Sequence, residues 1–169
     1  MISAELLADA FERVREVVHQ TLDGLTAAHL AYRIDPDANS IGWLIWHLTR
    51  IQDDHIAGAA GVDQVWTSAG WLERLELPFE AGATGYGHRS EDVAAVRPSS
   101  PDLLRGYFDA VHQRTISYVQ QLGEDDFDVV VDDSWDPPVT LGVRLISVIS
   151  DNLQHAGQAA LVRGCAVRR

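Results

Sequence analysis

Lysine is absent from the chain: all 13 basic residues in 169 positions are arginine. Its absence excludes Schiff-base chemistry, and it removes the side chain that a phosphate-binding P-loop requires. The stretch Gly82-Ala83-Thr84-Gly85-Tyr86-Gly87 therefore reads as a flexible loop, because no Gly-Lys-Ser/Thr follows it. Cysteine occurs once, at Cys165, so no internal disulfide is available, which suits a reducing cytoplasm. Ten residues beyond His155, Cys165 reads as an incidental thiol in a frayed tail. No apolar run reaches the roughly 18 residues expected of a membrane span. The opening residues Met1-Ile2-Ser3-Ala4-Glu5-Leu6 are acidic and amphipathic, without the basic start and apolar core of a signal peptide. Positive charge is scarce overall. A formal net charge of −12 argues against nucleic acid as a partner, because phosphate contacts need clustered cations.

What is present is a core. A hydrophobic content of 46% suffices for one domain spanning residues 1–169. Four segments carry helical periodicity. The first covers about residues 3–22, with Leu7, Phe11, Val14 and Val18 on one stripe, Ser3 as N-cap and Gly24 as stop. The second begins after Ser40 and runs to Gly58 or Gly61, and its start, Ile41-Gly42-Trp43-Leu44-Ile45-Trp46-His47-Leu48, is apolar nearly all round. The third opens at Ser100-Pro101, a cap followed by proline at the first helical position, and continues to Gly123. The fourth covers about residues 140–164. Val129-Val130-Val131 and Pro137-Pro138 predict an extended excursion between the last two helices. Residues 62–98 form a long connection containing Trp66, Trp71 and His88. The pattern predicts an all-α fold, an antiparallel four-helix bundle with one long crossover insertion.

Three polar residues sit where apolar ones are expected. His47 lies in the most hydrophobic segment of the chain, and Asp151 follows Ile146-Ser147-Val148-Ile149-Ser150 on a largely buried face. A buried carboxylate needs a cation, a donor network or a metal. His155 is four residues beyond Asp151, its neighbour about 6 Å along the helix axis. A histidine from a second helix facing that pair would give three ligands and an open position, the pattern of a catalytic metal site. A buried hydrogen-bonded pair accounts for the same residues equally well. If a metal is held, two imidazoles and a carboxylate suit zinc first, with nickel or iron as alternatives. Trp43, one turn before His47, can wall a pocket. Asp54 and His55 return to nearly the face of His47 and can border the cavity, although a solvated Asp53-Asp54 pair is an equal reading. Gln158 shares the face of Asp151. His19, His29, His88 and His112 have no partner at ligand spacing and read as surface or loop residues.

These motifs resemble a known family. The segment from Ser40 to Leu48 followed by Asp53-Asp54-His55 is similar to the second helix of the DinB-like superfamily of metal-binding four-helix bundles. Gly85-Tyr86-Gly87-His88 with Glu91-Asp92-Val93-Ala94-Ala95-Val96 resembles the linker of an actinobacterial branch, and His155-Ala156-Gly157-Gln158 is similar to the family's His-x-x-Gln signature. The resemblance implies a divalent metal on His47, Asp151 and His155. Many members carry histidine where Asp151 stands, and the mycothiol-dependent maleylpyruvate isomerases carry glutamate. Aspartate is one methylene shorter, which draws the metal toward the fourth helix or weakens its hold.

The resemblance also implies a transferase or isomerase that uses mycothiol or a similar thiol as cosubstrate and a small-molecule electrophile, in detoxification. Two other functions are open: a metal-dependent hydrolase with Asp54 beside bound water, and a non-enzymatic, stress-related metal-binding protein. A homodimer is expected, since relatives commonly dimerise and the apolar faces need cover.

Overall fold

The computed structural model describes residues 2–168, in which eight α-helices and one two-stranded sheet follow one another in the chain. Four helices are long: α1 (Ser3–Leu22), α3 (Ile41–Ala60), α7 (Pro101–Val119) and α8 (Leu141–Ala166). Their ends follow local chemistry. The Ser40 hydroxyl accepts from Trp43 N at 3.1 Å at the start of α3, and Gly61 closes that helix at φ 66°, a left-handed value that favours glycine. Ser100 and Pro101 start α7 as the sequence predicts, and Thr140 caps α8. Ser3 is not the cap of α1. It is already helical, and its N–H and hydroxyl both donate to Glu124.

The four long helices form the bundle. Helices α1 and α3 each pack mainly on α7 and α8, so α1 lies diagonally across from α3. Cross-helix contacts give the directions. Gln52 meets Asn152 while His55 meets Arg144, so α3 and α8 run antiparallel. Arg50 meets Tyr107 while Ala59 meets Tyr118, so α3 and α7 run parallel. Glu12 meets His112 while His19 meets Asp109, so α1 opposes α7. Two parallel neighbours require a connection that travels back along the bundle, about 30 Å for a 20-residue helix. That requirement explains the long crossover between α3 and α7.

The crossover is more ordered than a loop. It contains short helices α4 (Val65–Ser68), α5 (Trp71–Leu75) and α6 (Ser90–Ala95), after the short α2 (Ala27–Leu30) earlier in the chain. Trp66, Leu75, Val93 and Val96 anchor it in the same core as Trp43, Trp46 and Tyr107. A 3₁₀ turn over Glu124–Asp128 leads into β1 (Val130–Asp132), which pairs antiparallel with β2 (Val139–Thr140). Cys165 lies inside the last turns of α8, partly buried, and not in a frayed tail. Among the described residues no helix is long and apolar enough to cross a membrane.

Several histidines differ from expectation. His112 is only 5% exposed on α7, with Nε2 3.0 Å from Glu12, and His19 Nε2 lies 2.6 Å from Asp109. Each partner comes from the facing helix, which spacing within one helix cannot reveal. His29 Nδ1 accepts from Thr26 N at the start of α2.

Candidate metal centre

Helix α3 buries His47, and the crossover fixes its ring. Nδ1 lies 2.6 Å from the Thr84 carbonyl oxygen. A carbonyl only accepts, so Nδ1 carries the proton and Nε2 is left with its lone pair for a metal. Trp43 stacks on the ring at a centroid distance of 4.5 Å. Gly85 makes the approach of Thr84 feasible: at φ 95°, a Cβ there would stand 2.7 Å from His47 Nδ1 and 3.1 Å from the Trp46 ring.

Helix α8 supplies the other two groups. His155 Nδ1 donates to Gln158 Oε1 at 3.0 Å, and its Nε2 lies 3.5 Å from Asp151 Oδ1. One ligand atom each from His47, Asp151 and His155 falls within 4.8 Å of the other two. The two imidazoles titrate in opposite directions. Burial lowers His47, with the Thr84 contact opposing and His155 assisting, whereas the Asp151 carboxylate raises His155 against the cost of its burial.

The donor set fits a divalent metal on an observation independent of spacing. Asp151 Oδ2 is buried and has no hydrogen-bond partner. A buried oxygen left unsatisfied costs about 1–3 kcal/mol, more when charged, and a cation among the three groups would satisfy it. Two imidazole nitrogens and one carboxylate leave a coordination position open.

The remaining candidates divide into two groups. Trp43 and Gln158 touch the ligand histidines directly. Asp54 and His55 instead line an open cavity whose lining includes none of the three ligands, where Asp54 accepts from Gln64 Nε2 at 2.7 Å and His55 Nδ1 lies 3.3 Å from Arg144. Asp53 and Asp54 are not a solvated pair. Asp53 is buried, accepts from Val65 N, Trp66 N and the Tyr107 hydroxyl, and stands 3.7 Å from the fully buried Arg50 guanidinium.

Sequence reasoning misses three contributors. Thr84 and Arg50 act through backbone contacts, Thr84 with its own carbonyl and Arg50 by donating Nε–H to Ala83 O at 3.0 Å. His88 is in the crossover, as a loop residue should be, but it is packed inward: its Nδ1 accepts from Trp43 Nε1 at 3.1 Å and its ring packs on Phe79 and Trp46. The tryptophan and glycine content around these positions is the one signal that could have pointed to them.

A helical bundle with two histidines and a carboxylate gathered between its second and fourth long helices defines a DinB-like bundle with a candidate divalent-metal centre. The model of the mycothiol-S-transferase family matches residues 6–166, and the chain belongs to that family. It is similar to a crystal structure described as the conserved protein of locus from Enterococcus faecalis, with a TM-score of 0.93 and 32% identity over 100% of this chain and 99% of that one. No curated protein matches the chain significantly.

Proposed function

We propose that the chain is a divalent-metal-dependent transferase that uses a low-molecular-weight thiol, mycothiol or a close analogue, to attack small electrophiles. The unpartnered, buried Asp151 Oδ2 beside two imidazoles carries the reading, and membership of the mycothiol-S-transferase family supports the thiol. His47, Asp151 and His155 are the proposed ligands, with zinc the first expectation. A metal bound there supplies an open position at which a thiol loses its proton near neutral pH.

The chain's own residues do the rest. Thr84 and Gln158 each hold a ligand imidazole by Nδ1, which leaves both Nε2 atoms as donors to a metal. Trp43 and Trp46 wall the His47 side and exclude water there, Trp46 being almost fully buried. In a displacement the sulfur bonds to carbon, the leaving group departs with its electron pair and the thiol proton passes to solvent. In an addition the sulfur bonds to one carbon of a double bond, and the other carbon takes a proton from solvent in place of the one the thiol gave up. The hydrolytic alternative is less well supported, because its candidate base Asp54 is engaged by Gln64 in a cavity that none of the three ligands lines.

We further propose a cytoplasmic homodimer built on the outer face of α8. None of the exposed positions of that helix is ionisable, in a chain of net charge −12.

Metal analysis of the purified protein beside Asp151→Ala and His155→Ala, followed by thiol titration of the cobalt form, tests the function. About one metal per chain, lost in both variants, with a thiol-dependent charge-transfer band is the expected result. Metal without a thiol response would replace the transferase with the hydrolase, and absence of metal would overturn both.

A further inference from the structure

One layer of the bundle core is polar. Gln52 on α3, Thr115 on α7 and Asn152 on α8 are each fully buried. Asn152 Nδ2 donates to Gln52 Oε1 at 2.5 Å, and Gln52 Nε2 donates to Thr115 Oγ1 at 2.8 Å. The Thr115 hydroxyl in turn donates to the Val111 carbonyl oxygen at 2.9 Å. Hydrogen bonds thus run unbroken across three of the four long helices. One turn to either side the same positions are apolar: Leu48 and Ile56 on α3, Val111 and Val119 on α7, Val148 and Ala156 on α8. Leu48, Val111 and Ala156 belong to one apolar cluster of the core, whereas Ile56, Val119 and Val148 belong to another. The amides form the seam between the two.

This layer is a poor device for stability. Asn152 Oδ1 is buried without a hydrogen-bond partner among the described residues. Apolar side chains of the same size in place of both amides would be neutral or stabilising. What the layer supplies is direction. Apolar burial is non-directional, and α8 buries Ala156 and Ala159, whose short side chains resist sliding weakly. A hydrogen bond between Gln52 and Asn152 forms only at one axial offset and one rotation of the two helices. That offset bears on the candidate metal centre. Asn152 directly follows Asp151 and precedes His155 by three residues, and Gln52 follows His47 by five. Because α3 and α8 run antiparallel, both histidines lie on the same side of the layer. A slip of one residue would displace them by about 1.5 Å, whereas a metal holds its ligands to within about 0.2 Å.

We propose that Gln52 and Asn152 are positioning residues, whose hydrogen bond sets the register of α8 against α3 and so brings Asp151 and His155 within 4.8 Å of His47. A single buried asparagine sets register in a coiled coil in the same way. The inference rests on the metal-centre reading above and adds what holds its two halves in alignment. Thr115 contributes by taking the Gln52 amide hydrogen, which turns Oε1 of that amide toward α8.

The test replaces the pair by apolar residues of similar size, Gln52→Met with Asn152→Leu. Beside it, Gln52→Asn with Asn152→Gln exchanges the two amides. Removing both amides strands neither, and the Thr115 hydroxyl keeps Val111 as its acceptor. Three quantities are read on the full chain: urea denaturation without metal, cobalt affinity in competition with a chromophoric chelator, and the cobalt absorption spectrum. The apolar pair is expected to unfold at the same or a higher urea concentration than wild type. It is nevertheless expected to bind cobalt about 10–100-fold more weakly, with an altered spectrum. The exchanged pair remakes the hydrogen bond and is expected to keep the wild-type spectrum and most of the affinity. An apolar pair that binds cobalt as tightly as wild type would overturn the register assignment and leave the metal centre intact. So would an apolar pair that fails to fold or unfolds at lower urea, because the amides would then be a stability element. An exchanged pair with no more affinity than the apolar one would overturn it too. Wild type that binds no cobalt would overturn the metal centre and the inference with it.

Discussion

The Thr84 carbonyl oxygen stands 2.6 Å from His47 Nδ1, so a segment inserted between two long helices sets the tautomer of a residue in the bundle core. The crossover thus has a task beyond connecting parallel helices. It orients one proposed ligand, and Gly85, next to Thr84, is what lets the two approach.

Gly85→Ala tests that coupling. The new Cβ would stand 2.7 Å from His47 Nδ1, at a φ of 95° that L-residues rarely adopt. The turn must move, and the Thr84 contact goes with it. Loss of such a supporting hydrogen bond costs about 10–100-fold in metal affinity. Competition titration against a chromophoric chelator should show a loss in that range. Unchanged affinity would mean that His47 is held by Trp43 stacking alone.

Asp53→Ala should destabilise the fold strongly. Arg50 is fully buried, one of its nitrogens, Nη2, already lacks a partner, and Asp53 is its nearest countercharge. Removing one member of a buried ion pair costs about 3–5 kcal/mol, because the other charge is stranded. Asp53 also holds the start of α4 through Val65 N and Trp66 N. Urea denaturation measures the effect. A loss below about 1 kcal/mol would show that water reaches Arg50 in the folded state.

The four long helices were legible because each combines an apolar stripe with a chemically marked end, such as Ser40 and Gly61 around α3. His47, Asp151 and His155 were legible because a polar residue in an apolar run is costly and demands a reason. Thr84 was not, since a backbone carbonyl leaves no trace in residue type. Asp53 and Asp54 look alike in sequence, yet one caps α4 in the core and the other lines an open cavity. That difference depends on where the crossover lies, which helical periodicity does not encode. The pairs His112–Glu12 and His19–Asp109 were hidden for the same reason, each joining α7 to α1 across the bundle.

The metal-free protein should lose stability in mild acid, in part through His55. Burial lowers its proton affinity in the folded state and Arg144 lowers it further, while Asp54, Asp151 and Asp132 act in the opposite direction. The folded value lies below the unfolded one of about 6.5, so the unfolded chain binds the proton more readily. This contribution is complete above pH 6.5 and is lost as pH falls through the folded value. Melting temperature measured between pH 7.5 and 5 should fall less steeply in His55→Gln than in wild type. An identical slope in the two proteins would assign the acid sensitivity to other groups.

The outer face of α8 should mediate self-association. Val143, Ile146, Leu153 and Leu161 remain 46–63% exposed along one side of the helix, at spacings of three, seven and eight residues that keep them on one stripe. Ser150 and Gly157, also exposed, fill the same stripe with small side chains that permit close approach. Two chains of net charge −12 repel each other over most of their surface. They can meet at low cost only where ionisable groups are missing, and this face is such a place. Packing a face against its own copy makes an isologous, closed dimer. Light scattering at micromolar concentration should give twice the chain mass of 18.6 kDa for wild type. Ile146→Glu combined with Leu153→Glu places like charges at the centre of the contact and should give the mass of one chain, with the helical content retained. A wild-type monomer, or a double variant that still dimerises, would move the interface elsewhere or remove it.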